Sequence, residues 1–219
     1  MLFPLPDVVR SSQIAPFAHD TKVFKEIIST SDGEQLQEDL SELVTWSDSA
    51  SLNFNNNKCK AQRITRKLKP VNFVYHMAGS QLEIVSTEKD LGVYFTDNLT
   101  WNKQVNEQCT KASRLLGYVR RNTRLVKSIT VRRSAYPSQV RSHLGYATQV
   151  WTPQSIDLIR KFERVQRRAT KYILDLPFFC DQTYGNRLMN LNLLPNSYWH
   201  KFLDMIFLFK VVTGTVRVM

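Results

Sequence analysis

The chain's hydrophobic pattern changes period at Trp101, from two over the β-rich stretch 71–97 to 3.6 beyond it. In the first half, IAPFAHDTKVF (14–24) reads as strand, tight polar turn and strand. Ile14 and Phe17 are apolar before the turn, Val23 and Phe24 after it, and His19 and Asp20 stand at its tip. STSDGEQLQEDLSELVTWSDS (29–49) reads as an amphipathic helix. Ser31 and Glu34 have capping-box spacing, Asp32 adds negative charge at the helix start, and Leu36, Leu40, Leu43 and Val44 recur as one buried stripe. The helix is expected to end near Trp46–Ser51. Residues 52–70 are expected to open with an alternating strand, cross an Asn-rich turn and continue as a strand around Ala61–Ile64. Residues 71–97 hold two or three β-rich runs. Gly79-Ser80 signals a hairpin there, and Gly92 marks a bend or a close backbone approach.

Beyond Trp101 the pattern is helical. Val105, Cys109, Ala112, Leu116 and Val119 mark one face of a long helix, with Arg114, Arg120, Arg121 and Arg124 towards its far end. Residues 138–151 predict one helix with Val140, Leu144, Ala147 and Trp151 on one side, ended by Pro153. Residues 156–174 place Ile156, Ile159, Phe162, Val165, Ala169 and Tyr172 on one face. Arg160, Arg164, Arg167, Arg168 and Lys171 take the other, with Glu163 spaced to pair with Arg167. A last helix is expected over about 197–212. Its stretch FLDMIFLFKVV (202–212) contains Asp204 and Lys210 and falls short of the roughly 20 residues that span a bilayer. It reads as a packing helix.

Charge placement changes the picture more than overall composition, which is that of an ordinary globular protein at 42% hydrophobic and 22% charged. Residues 1–110 hold 11 Lys+Arg against 14 Asp+Glu, a net −3, whereas residues 111–219 hold 19 against 5, a net +14. A basic half joined to a near-neutral one points to a polyanion partner, with a solvated surface as the plainer alternative. The first half has one basic cluster of its own, Lys58, Lys60, Arg63, Arg66, Lys67 and Lys69. Cys59, Cys109 and Cys180 are odd in number and form no CxxC, which fits free thiols in a reducing compartment and no structural zinc site. Pro4, Pro6 and Asp7 break the apolar start, and no basic region precedes it, so no signal peptide is expected. These features predict an intracellular chain, in cytoplasm or nucleus, with no membrane partner.

Five blocks in order then resemble the C-terminal half of a LINE-type (non-LTR) retrotransposon reverse transcriptase. FAHDTKVF looks like that family's palm hairpin, Phe-Ala-Asp-Asp-Thr-Lys-x-Phe. LQEDLSELVTWSDSASLNFNNNKCK looks like the palm helix and the Asn-x-x-Lys-Cys turn that follow it. YHMAGSQLEIVSTEKDLGV resembles the primer-grip hairpin. YPSQVRSHLGYATQVWTP with FERVQRRATKYI, and LLPNSYWHKFLDMIFLFKVVTG, resemble the helical region behind the thumb. The resemblance covers about residues 14–214 and implies an α+β fold: a partial polymerase palm of hairpin, helix and antiparallel strands, then an all-α thumb and C-terminal helical region. The implied segments are the C-terminal part of the palm (1–70), a primer-grip-like hairpin (71–98), a thumb-like helix (99–130) and a basic helical region (131–219).

The resemblance also implies what the chain lacks. The family's fingers, and the palm strand carrying another metal-binding Asp, lie upstream of the hairpin, and only 13 residues precede Ile14. His19 stands where the family has the first Asp of its pair, leaving Asp20 as a vestigial metal ligand. Two-metal nucleotidyl transfer needs several hard oxygen donors for Mg²⁺, and one carboxylate cannot hold two such ions. Lys58 matches the lysine that assists the leaving group. Plainer readings stand beside these: Asp20 as a turn residue capping its own backbone, His19 as a loop histidine, Lys58 as a solvated lysine. The expectation is a truncated polymerase remnant, inactive as this chain, binding no Mg²⁺ productively and taking no small-molecule substrate, that retains RNA or DNA binding. Arg114, Arg120, Arg121, Arg124, Arg160, Arg164, Arg167, Arg168 and Lys171 would contact phosphates. Tyr118, Tyr146 and Trp151 could stack on bases, though helical spacing favours the core for them. The alternatives are an active reverse transcriptase in a complete gene product, a protein-interaction module built on the helix 198–212, and a decayed copy, with which Pro16 and Pro137 agree.

Overall fold

The computed structural model describes residues 8–18, 20–52, 54–177 and 179–216. They form two compact units, one of residues up to Glu88 with Thr96–Leu99, the other of Lys89–Phe95 with Thr100 onward. The fold is mixed α+β, with small sheets and a majority of helix.

The first unit begins with strands β1 (Gln13–Phe17) and β2 (Asp20–Phe24), antiparallel with Phe17 opposite Asp20. Pro16 sits in β1, the two-stranded ribbon leaving that strand an edge to which a proline adds no loss. Helix α1 (Thr30–Ser49) starts two residues earlier than the Ser31/Glu34 spacing predicts. Ser29 is its N-cap, and Asp32 completes the capping box by accepting the Ser29 N–H at 2.7 Å. Asp32 also accepts the Ile28 N–H at 2.9 Å, and these bonds hold its carboxyl below the usual range. A shorter acid at the same spacing thus does the work expected of Glu34. Buried Asp39 ties the incoming chain to α1, accepting from the Arg10 and Ser11 amides and from the Ser11 and Ser12 hydroxyls.

The leucine stripe of α1 is covered as expected. Leu40 packs with Met77 and Leu82, flanked by Leu36, Val44, Val23 and Tyr75. The strand expected at the start of 52–70 does not form at Leu52 or Phe54. The Leu52 N–H donates instead to Ser47 O at 2.9 Å, and the Ser47 hydroxyl returns a bond to Leu52 O, so this backbone closes the end of α1. A single 3₁₀ turn (Asn56–Lys58) follows. Then come β3 (Lys60–Gln62), β4 (His76–Met77), β5 (Ser80–Gln81), β6 (Glu83–Val85), β7 (Thr87–Asp90) and β8 (Val93–Thr96). β3 pairs parallel with β6, while β4 pairs antiparallel with β5 across Ala78-Gly79, the predicted hairpin. Both turn residues have positive φ, 46° and 74°, as a two-residue turn of this hand requires.

The second unit is helical: α2 (Asn102–Asn122), α3 (Ile129–Tyr136), α4 (Ser142–Leu144), α5 (Thr148–Trp151), α6 (Ile156–Ile173), α7 (Tyr184–Leu191) and α8 (Asn196–Val212). All five residues predicted on the apolar face of α2 are buried, against Tyr136, Val140, Leu144, Phe162, Val165, Ala169 and Ile173. The single helix expected over 138–151 is instead interrupted. Helix runs from Ile129 to Leu144 through a widened π turn at Pro137–Arg141, because Pro137 has no N–H to continue the ladder. It stops at Gly145, where an added Cβ would lie 2.2 Å from the Trp199 ring, and restarts after Ala147, held left-handed at φ 53°. Pro137 is thus accommodated within a continuous helix.

Helix α8 corrects a second expectation. Only Asn196 and His200 are buried in it, while Phe202, Met205, Leu208, Phe209 and Val212 are all at least half exposed. Among the described residues, this packing helix packs mainly through its first two turns. No helix among them is long and apolar enough to cross a membrane.

Candidate nucleic-acid interface

The hairpin tip is the first candidate site. Asp20 opens β2, opposite Phe17, with its side chain exposed; His19 lies outside the described residues. Lys58 ends the 3₁₀ turn, also exposed, and no hydrogen bond or ion pair among the described residues joins it to Asp20. No group of three or more His, Cys, Asp or Glu that could hold a metal comes together among the described residues. A lone exposed carboxylate does not fit a pair of Mg²⁺ ions, which demand several fixed oxygens each.

The second unit offers a different site. α2 and α6 pack along a seam that both cross in the same chain direction. Lys161 bonds Asn106 near the start, Arg168 donates to Ser113 at 2.6 Å one period further on, and Tyr172 meets Thr123 at the end. The spacings 161–168–172 on α6 and 106–113 on α2 keep these residues on the facing edges of the two helices, and Thr123, the C-cap of α2, closes the seam. Beside the seam, α6 exposes Arg160, Arg164, Arg167 and Arg168, with Lys171 half-buried. α2 exposes Lys103, Lys111, Arg114, Arg120 and Arg121, and Arg124 follows in the turn. Arg120 approaches the Tyr172 ring of α6, 6.0 Å from its centre. The basic arcs of the two helices therefore join into one surface. Two acids interrupt it: Asp157, 3.7 Å from Arg160, and Glu107, 3.3 Å from Lys103.

The nine predicted phosphate-binding residues thus fall on neighbouring faces of two helices, but they are not equivalent. Arg167 lies over the Tyr184 ring at 4.9 Å. The expected Glu163–Arg167 pair is replaced: Glu163 is buried, accepting from the Tyr184 hydroxyl at 2.6 Å and from the Ser197 N–H at 2.9 Å. That carboxylate satisfies an amide in the first turn of α8, a stronger claim on it than an exposed arginine one turn away. Four further arginines that raise the net charge are structural. Arg132 donates to Val126 O and meets Asp175, Arg133 donates to Leu191 O, Arg141 to Leu194 O, and Arg187 to Gln182 O. Each closes a helix end or a loop.

The aromatic expectations divide. Trp151 is core, its indole N–H donating to Tyr146 O at 2.7 Å. Tyr118 and Tyr146, assigned to the core by spacing, are more than half exposed. Sequence reasoning also missed Lys103, Lys111 and Lys161 as members of the basic surface. The signal was present: Lys111 lies one turn from Arg114 on α2, and Lys161 one turn before Arg164 on α6. Compared with family models, with characterised proteins and with solved structures, the chain gives no significant match to any.

Proposed function

We propose that this chain derives from the C-terminal half of a LINE-type reverse transcriptase, is catalytically inactive as it stands, and binds the backbone of RNA or DNA. In that reading the first unit corresponds to the end of a polymerase palm and the primer-grip strands, and the second to thumb and following helices. The observation that carries it is the joined basic surface of α2 and α6, where a seam of hydrogen bonds holds two rows of cations side by side. Fixed cations at helical spacing neutralise successive phosphates and read no sequence. The Mg²⁺ chemistry of the family would require carboxylates that the hairpin does not supply.

Two measurements test the two parts. Purified chain on a primed RNA template with Mg²⁺ should incorporate no labelled nucleotide above a buffer blank, and His19→Asp alone should restore nothing. Incorporation by either protein would overturn the inactivity. Changing Arg160, Arg164 and Arg168 together to Ala should weaken binding of every RNA and DNA sequence alike at fixed salt. Unchanged affinity would return this face to a solvated surface.

A further inference from the structure

Within the second unit lies an open cleft of about 720 Å³, which shares Lys111 and Arg114 with the basic surface of α2. Its walls come from the β7–β8 turn, the middle of α2, and the end of α4 with the turn after it. Lys89, Lys111, Arg114 and His143 line it, against one acid, Glu107, already paired with Lys103. Neither Lys111 nor Arg114 has an ion-pair partner among the described residues. Two rings, Tyr94 and Tyr146, also line it.

Tyr146 is set in place from several sides. Its hydroxyl donates to Leu91 O at 2.7 Å, and its own carbonyl receives the Trp151 indole N–H. Its ring edge lies against the turn at Gly92, where φ is 84° and a Cβ would come within 3.3 Å of Cε1. A side chain at 92 would meet both a strained backbone and the ring, so glycine is required for this approach. Tyr146 as a whole nevertheless remains 52% exposed. Holding an aromatic face rigid and wet next to unpaired cations costs packing that an ordinary core tyrosine would gain.

The ligand that matches is one with a flat aromatic base and adjoining phosphates. The volume falls within the about 300–1,000 Å³ of ordinary ligand sites. A duplex cannot use it, because its base faces are already stacked within the helix; an unpaired strand presents both base and backbone. We propose that this cleft takes an unpaired nucleotide of single-stranded RNA or DNA, its base against Tyr146 and its flanking phosphates on Lys111 and Arg114. The proposal rests on the reading of the chain as a nucleic-acid binder. It adds a preference for single strands that the α2–α6 surface alone would not give.

The test uses the full chain, a short single strand carrying 2-aminopurine, and a blunt duplex of the same sequence. Tyr146→Ala should weaken single-strand binding about tenfold and remove the fluorescence quenching caused by stacking, leaving duplex binding unchanged. Tyr146→Phe, which keeps the ring, should retain the quenching. Lys111 and Arg114 are exposed, so changing both to Ala tests the cleft independently of any folding defect at 146. The double variant should lower the single-strand salt slope by about 0.7 for each phosphate no longer neutralised and weaken the single strand more than the duplex; an equal loss on both would assign the two cations to the α2 surface and overturn the cleft. An unchanged slope, or a Tyr146→Ala effect equal on both substrates or absent from both, would overturn the cleft alone. A free nucleoside monophosphate that fills the cleft while the strand gains nothing from Tyr146 would also overturn it. Failure of the unaltered chain to bind any nucleic acid would overturn the underlying reading, and the cleft with it.

Discussion

His200 illustrates how far a single residue here departs from what its type suggests. It is fully buried, with Nε2 2.7 Å from Leu144 O and Nδ1 3.2 Å from the Thr152 hydroxyl, among the rings of Trp151, Phe162 and Trp199. Burial pushes its pKa down to about 4, and nearby Arg141 works in the same direction against Leu144 O and Asp204. The folded state thus holds His200 neutral where the unfolded chain begins to protonate it near 6.5. Its contribution should be intact above pH 6.5 and fall by about 3 kcal/mol as pH drops to about 4, with no further loss below. Denaturant unfolding across that window measures it, and His200→Gln, which can still donate to Leu144 O, should flatten the dependence. An equal fall in the variant would assign it to other groups. A scattered histidine gave no such sign in the sequence, because its burial depends on partners 48 and 56 residues away. The structural arginines were hidden for the same reason: Arg133 and Arg141 end on carbonyls more than 50 residues away.

At the scale of elements, legibility followed periodicity. α2 and α6 were readable because an unbroken run of turns repeats one apolar face, so most of the buried residues and the arginines followed from spacing; Ile156, expected on the apolar face, is instead exposed in the first turn of α6. Residues 138–151 have the same spacing, but Pro137 widens the helix into a π turn, and the contact of Gly145 with Trp199 and the left-handed Ala147 break the run, none of which is periodic. The apolar content of α8 was read correctly, while its exposure depends on which neighbours reach it. α1 was placed well and its cap misplaced by two residues, two Ser-containing frames competing for one role. The two small cores differ in extent: α1 closes over Leu40, Met77 and Leu82, whereas α6 lies in a core of fifteen buried residues. Amide hydrogen exchange should therefore show weaker protection in 30–49 than in 156–173. Equal protection would mean that the first unit draws stability from more than this core.

For the whole molecule, the uneven charge was the most informative reading, and the structure refines it. The net +14 of residues 111–219 overstates the free cations, since Arg132, Arg133, Arg141 and Arg187 are bound to backbone carbonyls within the second unit. What remains concentrates on α2 and α6, where the seam joins them. The mixed α+β class was legible from the change of period at Trp101; the division into units was not, because Thr96–Leu99 belong with the first and Lys89–Phe95 with the second. A chain crossing three times within a dozen residues leaves no break in composition. The central claim, that this surface neutralises nucleic-acid phosphates, is tested most directly by the salt dependence of binding to duplex DNA. With about six phosphates engaged, affinity should fall roughly a thousandfold between 50 and 200 mM salt, a slope near −0.9 per contact. Changing Arg160, Arg164 and Arg168 to Ala should flatten that slope by about 2.7. A slope near zero in the unaltered chain, or the same slope in the triple variant, would contradict the account.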